Sequence, residues 1–510
     1  MKKDRYKEEL KPKDYPSEPV PVESLNINFM RYNKFLPIKA DNGLVEIACT
    51  DLNNPHLSEA IYYAIGREVI FRKGKEEDIL DAIERLYGEG ASSMDRIVSQ
   101  IEDLGERSGA EEDNIEQLKD QASEAPVIRL VNLIISRAIE VGATDIHFEP
   151  FENKFVIRYR IDGVLQEVES PPKKLQWAII SRVKIISKLN IAERRLPQDG
   201  RLKLRVLGKE IDFRISTIPT QFGESLVMRI LDQSRLVLDL EKLGFPVDTL
   251  ETFKEMLNTP YGLILVSGPT GSGKTTTLYS ALQRINLPER KIITIEDPVE
   301  YQLSGINQIQ VKPQIGLTFA NGLRSIVRQD PDVILVGEIR DAETAEIAIQ
   351  SALTGHLVFS TLHTNDAAGS ITRLLEMGVE DYLLASSLVV VMAQRLIRIL
   401  CPYCKEKTEI EPEFYREMKL NEERAKKIEA YRAVGCEECR GTGFRGRTGI
   451  YELMQISDNI KELILSRQSS SRIKKAALEE DMRTLREDGW SKVKQGITTI
   501  PEVLRVTMVE

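Results

Sequence analysis

"YGLILVSGPTGSGKTTT", residues 261–277, decides the architecture. Its apolar first half is short and bounded by glycine, which reads as a buried strand. Gly268-x-x-x-x-Gly273-Lys274-Thr275 follows, and then a helical run from Thr276 to Ile285. Strand, glycine-rich turn and helix in this order form a phosphate-binding loop. The glycines let backbone N–H groups turn inward around phosphate oxygens, and the helix N-terminus adds a favourable partial charge. The loop therefore supplies candidate nucleotide contacts from Gly268, Pro269, Thr270, Gly271, Ser272 and Gly273 through Lys274, Thr275 and Thr276. Lys274 can reach the β- and γ-phosphates of ATP, and the Thr275 hydroxyl can ligate Mg2+.

Outward from this stretch, "KIITIE", "DVILVG" and "LVFSTL" read as further short buried strands alternating with helices. That alternation predicts a parallel sheet, and ligands of such sheets sit at the carboxyl ends of the strands. "PDVILVGEIRD", residues 331–341, ends its strand in Gly337-Glu338. Glu338 offers hard oxygens to Mg2+, directly or through water, or orients the attacking water. "TIEDPVEYQ" delivers Glu296 at the end of the neighbouring strand, the expected residue to polarise that water, with Glu300 a weaker candidate. Asp297 beside Pro298 reads as a turn residue. "GHLVFSTLHTND" contributes His356 and His363, two of only four histidines. Each can contact phosphate or sense its loss, although a single histidine is more often a structural hydrogen-bonder.

The chain has 510 residues, room for three or four domains, and 42% hydrophobic residues, enough for sizeable cores. Its net charge of −9 argues against a dedicated nucleic-acid binder and leaves room only for a local basic groove. The N-terminus, "MKKDRYKEELKPKDYPSEPV", lacks a signal-peptide core. The most apolar helical stretch, "LLASSLVVVMAQRLIRIL" (383–400), is interrupted by Ser386, Ser387, Gln394, Arg395 and Arg398, so it does not read as a membrane span. A cytosolic protein, peripheral to a membrane, is expected.

Six segments follow from the pattern. Residues 1–90 form a small α/β unit with the strand "GLVEIACT" and an amphipathic helix presenting Ile79, Ile83 and Leu86. Residues 91–124 are an acidic linker. Residues 125–238 form an α+β domain, with a helix through Val127, Leu130, Val131, Ile134 and Ala138 and a hairpin turning at Asp162-Gly163. This domain is rich in arginine: Arg158, Arg160, Arg194, Arg195, Arg201, Arg214 and Arg229. Residues 239–400 carry the phosphate loop, 401–448 the cysteine pairs, and 449–510 a helical C-terminal part.

Of five cysteines, Cys401 with Cys404 and Cys436 with Cys439 make two CxxC pairs. Two such knuckles complete a tetrahedral Zn2+ site with no open coordination position, so the reading is structural zinc. The 31-residue spacer is long for a zinc ribbon, and a helical insert is expected within it. Cys49 stands alone and reads as a small buried apolar residue.

These motifs in this order resemble the secretion ATPase superfamily, the hexameric motors of type II secretion and type IV pili. "GPTGSGKTTT" is similar to its Walker A, "TIEDPVEY" to its aspartate box, "ILVGEIRD" to its Walker B and "GHLVFSTLHTND" to its histidine box. The resemblance continues upstream through "GATDIHFEP", "RYRIDG", "RLPQDGR" and "DFRISTIP". Downstream it covers "AQRLIR", "RGRTGIYE" and "GITTIPEVLRVT". It implies a RecA-like ATPase domain preceded by a PAS-like domain, and arginines that contact phosphates or link subunits: Arg201, Arg214, Arg324, Arg328, Arg340 and Arg447. Arg201 and Arg214 would act catalytically as arginine fingers, Arg324 and Arg328 in nucleotide binding. It also implies a homo-hexamer on the cytoplasmic face of the inner membrane. Its partners there would be a GspL-like protein docked on residues 1–90 and a GspF-like platform protein. The four-cysteine element occurs in secretion and pilus-extension motors and is generally lacking in retraction motors. Type II secretion is the leading expectation and pilus extension the runner-up. A nucleic-acid protein using the zinc knuckles is the reading from another class; Arg440, Arg445, Arg447 and Phe444 would serve it, but the surrounding insert mixes acids and bases.

Overall fold

The computed structural model describes residues 27–87 and 125–508 with short breaks, chiefly 42–43, 52–54, 67, 169–170, 207, 233–237 and 416–427 in part, and isolated positions before 27. The linker expected at 91–124 lies outside the described residues.

In the N-terminal unit β1 (Phe35–Asp41) runs antiparallel to β2 (Leu44–Cys49), and β2 pairs in parallel with β3 (Glu68–Lys73). The helix Glu76–Tyr87 buries Ile79 and Ile83 on this sheet, as their helical spacing predicts. Cys49 is fully buried among them, and burial pushes its thiol up to about 11. The Leu86 side chain lies outside the described residues.

The second sheet contains β4 (Asp145–Pro150), β5 (Phe155–Ile161), β6 (Val164–Glu167), β7 (Gln198–Val206), β8 (Lys209–Thr220) and β9 (Gly223–Leu231), in the order β6-β5-β4-β9-β8-β7. All its pairs are antiparallel. The β5–β6 hairpin turns at Asp162 (φ 49°) and Gly163 (φ 84°), the left-handed pair that Asp-Gly supplies most readily. The helices Ala125–Glu140 and Gln176–Ile186 cover one face, packing Leu130, Ile134, Ile179 and Val183 onto Ile146, Phe148, Phe213 and Met228. Side chains alternate along each strand, so the other face of the same strands carries the polar residues. Across it runs one register line: Arg160 opposite Asp145, Asp145 opposite Arg229, Arg229 opposite Arg214, and Arg214 opposite Arg201.

The third sheet holds β10 (Gly262–Ser267), β11 (Ile292–Glu296), β12 (Asn307–Gln310), β13 (Val333–Val336), β14 (Leu357–Leu362) and β15 (Leu388–Leu400). A two-stranded ribbon follows, β16 (Glu406–Thr408) with β17 (Ala430–Arg432), and then β18 (Phe444–Gln455). The order is β12-β11-β13-β14-β10-β15-β18, parallel except for β18, which runs antiparallel to β15. Helices pack on both faces, which is why β10, β11, β13 and β14 are buried at every position.

Two expectations need correction here. The stretch 383–400 is helical only to Ser387; from Leu388 it is β15. Its β-branched run Val389–Val391 is stiff at χ1 and suits a pleated surface, and β10 and β18 offer backbone partners on either side. Between the cysteine pairs, the described residues include a short 3-10 turn at Pro412–Phe414 and the β16–β17 ribbon, and most of 416–427, within the stretch where a helical insert is expected, lies outside the described residues. β18 is one continuous strand of the large sheet, so the division expected at 448 falls inside it.

Candidate active site

The phosphate loop leaves β10 between β14 and β15, at the carboxyl end of the sheet. Gly268 has φ 148°, and a Cβ there would lie 2.5 Å from the Gln394 carbonyl and 2.6 Å from Ser272 Oγ. Gly273, at φ 91°, starts the helix Lys274–Ile285, and a Cβ on it would meet Gln394 Nε2 at 2.7 Å. Both positions thus exclude side chains. Lys274 is buried, and its ammonium donates to the carbonyls of Gly268 (2.6 Å) and Pro269 (3.1 Å). Burial, aided by the Arg395 charge and opposed by Glu338, brings its pKa down to about 8. Ser272 Oγ is buried without a partner among the described residues, a polar atom suited to a ligand oxygen. Pro269, Thr270, Gly271 and Thr275 are exposed at the mouth, and Thr276 is half-buried.

Glu338 lies beside this loop. Gly337 N–H donates to the Ile295 carbonyl (2.8 Å), and Thr361 Oγ1 donates to the Gly337 carbonyl (2.7 Å), so β11 and β14 fix the turn that carries it. Arg340 pairs with one Glu338 oxygen, and His363 Nε2 is 3.5 Å from the other. Partial burial, then the Lys274 charge, keeps the His363 imidazole less basic than usual. Asp341 caps the following helix by accepting from Thr344 N–H. Lys274, Glu338, Arg340 and His363 thus form one cluster.

Glu296 stands in a different environment. It is buried; one oxygen accepts from the Tyr279 hydroxyl, the other from Thr294 Oγ1 (2.5 Å) and Gln308 Nε2 (3.2 Å). Burial raises its pKa, against these hydrogen bonds. His356 stands apart from this cluster. It sits before β14, whereas His363 follows it, and six strand residues separate the two by about 20 Å. Its Nδ1 lies 2.8 Å from the Ser351 carbonyl at a helix end, away from the phosphate loop of its own chain.

The expected arginines divide. Arg214 Nη2 pairs with Glu300 (2.9 Å) and donates to the Val299 carbonyl (3.2 Å), so it docks on the loop after β11 of its own chain. Arg201 is exposed. Arg324 pairs with Glu343 at the surface, and exposed Arg328 contacts Ser325. Arg447 lies 3.6 Å from Asp162, whose other oxygen accepts from Gly446 N–H (2.9 Å). A cavity of about 500 Å³ opens there, lined by Thr144, Asp162, Arg447, Leu396, Gly273, Thr276 and Thr277 among others. Sequence reasoning missed Tyr279, Gln394 and Arg395. "AQRLIR" stood out as a motif, but nothing local ties it to a loop more than a hundred residues earlier.

The four paired cysteines converge. Their sulfurs all lie within 4.8 Å of one another, with Cys401–Cys436 at 3.9 Å and Cys404–Cys439 and Cys436–Cys439 at 3.7 Å. A tetrahedron with metal–sulfur bonds of about 2.3 Å needs sulfurs about 3.8 Å apart, so the cluster is compatible with zinc. Burial disfavours the Cys439 thiolate, but the N–H groups of Cys436 and Gly443, together with hydrogen bonds from the Cys404 and Cys436 thiols, outweigh it and bring the thiol down to about 6.

Comparison with known proteins bears on this geometry. The family description "Type II/IV secretion system protein" matches residues 120–505, and "MshEN domain" matches residues 6–93. "Type II secretion system protein E" of Xanthomonas campestris pv. campestris is 52% identical over 97% of this chain and 87% of its own length. "Type IV pilus assembly ATPase PilB" of Myxococcus xanthus is 46% identical over 96% and 87%. Among solved structures, the pilus retraction motor PilT with bound ADP aligns at a TM-score of 0.50 and 27% identity, over 74% of this chain and 96% of that one. The Legionella pneumophila ATPase DotB aligns at 0.55 and 19%, a likeness of fold alone. Matched by the family description over residues 120–505 and by a relative 52% identical over 97% of this sequence, the chain belongs to the type II/IV secretion system protein family.

Proposed function

We propose that this chain is the ATPase of a type II secretion system, converting ATP hydrolysis into the motion that assembles the pseudopilus and exports folded proteins. The observation that carries this is a phosphate loop with buried Lys274 beside the Glu338–Arg340–His363 cluster, in a chain 52% identical along 97% of its length to a type II secretion protein E. Pilus extension is the second reading, favoured by the likeness to PilB over 96% of the chain.

In this reading the phosphate loop takes the triphosphate, whose oxygens compete with the Gly268 and Pro269 carbonyls for Lys274. Thr275 and Glu338 hold Mg2+, and Arg340 and His363 orient the Glu338 carboxylate. The cavity between Thr144 and Thr276 is the room available for the nucleoside. Glu296 was the expected water-polarising residue, but its filled hydrogen bonds favour Glu338 and the less buried Glu300 for that part. Arg201, Arg324 and Arg328, exposed on this chain, are offered to a neighbour in a homo-hexamer. We read residues 125–238 as PAS-like, 239–400 as RecA-like, the cysteine cluster as a structural Zn2+ site, and residues 1–90 as the dock for an inner-membrane platform protein. A place on the cytoplasmic face of that membrane fits, since among the described residues no helix is long and apolar enough to cross it. Steady-state hydrolysis by the Lys274→Ala protein tests the site: removing one preorganised charge costs about 10²–10³ in rate, and wild-type turnover would overturn the assignment.

A further inference from the structure

Arg395 is 8% exposed, and its guanidinium faces the phosphate loop. Nη1 donates to the Gln394 carbonyl (3.3 Å) and lies 3.2 Å from where a Gly268 side chain would begin. Nη2 donates to both the backbone carbonyl (3.1 Å) and Oδ1 (3.2 Å) of Asn365. One buried cation therefore touches the first turn of the phosphate loop and the loop that follows β14. That second loop carries His363, which faces Glu338. Its far end is fixed independently, because Asp366 caps the helix Ala367–Glu376 and pairs with Lys474 (3.0 Å). In the half bearing His363, Thr364 is tied to Ser370 (2.7 Å) and Leu362 accepts from Gly268 N–H (3.2 Å), and Arg395 adds the hold on Asn365. Burying a guanidinium is unfavourable unless its donors are met, and its rigid planar fork fixes acceptors on two separate loops in one geometry, which a compact ammonium on a flexible stem does not set.

We infer that Arg395 is a positioning residue for ATP hydrolysis, holding the His363–Asn365 loop against the turn at Gly268. The inference rests on reading that turn as the phosphate site. Arg395 acts through the loop rather than on the nucleotide, so its loss should slow turnover more than it weakens binding.

The test is kcat and KM for MgATP in the full chain. Arg395→Gln should lower kcat about 10- to 100-fold, the scale of a small misplacement at a reacting centre, with KM within about threefold. Arg395→Lys keeps the charge but loses the fork, and should recover only a minor part of kcat. Asn365→Ala, at an exposed position, should lower kcat by a smaller factor and add nothing further in the Arg395→Gln background. Unchanged kcat in Arg395→Gln, full recovery by lysine, or multiplying losses in the double variant would each overturn the inference. If Arg395→Gln fails to fold, Asn365→Ala decides: reduced kcat at unchanged KM supports the clamp, and wild-type kcat removes it. Lys274→Ala separates the two levels. If it is active, the phosphate-site reading fails; if it is dead while Arg395→Gln is normal, only the clamp fails.

Discussion

Gly337 shows why this strand ends in Gly-Glu. A Cβ at that position would lie 3.2 Å from the Ile295 carbonyl oxygen and 3.3 Å from Glu296 Cα, so a side chain would push the end of β13, and Glu338 with it, away from β11. The two carboxylates on either side of this contact differ in what surrounds them. Glu338 faces charges that a reaction can use, whereas Glu296 accepts hydrogen bonds from three neighbours in the interior. Glu338→Gln should retain ATP binding and thermal stability but lose hydrolysis, by about 10²–10³. Glu296→Gln places an amide N–H₂ against hydroxyl donors and should cost roughly 1–3 kcal/mol of stability, with hydrolysis per folded molecule largely kept. Paired melting curves and turnover assays check both, and the opposite pattern would exchange the two roles. The phosphate loop and Glu338 were legible because each is a local pattern at a strand end. The histidines were half legible: "LVFSTL" reads as a strand, and a strand between two residues puts them at opposite ends of a sheet. Arg395 was not legible, since its partners arrive from β10 and from the loop after β14.

Among elements, the cysteine knuckles carry the clearest consequence. Their sulfurs already have tetrahedral spacing, and N–H groups of Gly435, Cys436 and Gly443 point at Cys404 and Cys439. Protein purified without added metal should contain one Zn2+ per chain by elemental analysis, and Cys436→Ser should lower that content sharply. Because binding at such a site contributes to folding, the metal-depleted protein should show faster amide exchange over 401–443 while the β10–β14 core stays protected. Equal exchange with and without metal would remove the structural role. The spacing announced this cluster; the helical insert read in "EPEFYREMKLNEERAKKIEAYRAV" falls in part outside the described residues, and its end, Ala430–Arg432, is seen as strand. The stretch 388–400 was misread because sheet partners on both sides decide more than local apolar pattern.

At the scale of the molecule, two charge contacts join the antiparallel sheet to the large one: Arg214 with Glu300, and Asp162 with Gly446 and Arg447. The partners, Arg214 with the Val299–Glu300 loop and Asp162 with Gly446, lie 85 or more and 284 residues apart in sequence, which is why composition showed a surplus of arginines but not its use. Asp162→Asn keeps the left-handed turn and one acceptor while removing the ion pair. It should weaken the junction by about 0.5–1 kcal/mol, seen as a two- to fivefold faster exchange of the Gly446 amide and a modest rise in KM for ATP. An unchanged Gly446 amide would show that the junction rests on other contacts. The arginine row on the antiparallel sheet also makes the protein's response to its medium unusual. Arg229, Arg214 and Arg201 stand directly opposite one another across strands, where like charges repel. Dissolved ions screen that repulsion within a Debye length of about 8–10 Å. Salt therefore eases this row while it weakens the pairs that already offset it, Arg229 with Asp145 (3.0 Å) and Arg214 with Glu300 (2.9 Å), so this sheet answers dissolved ions in two opposed ways at once.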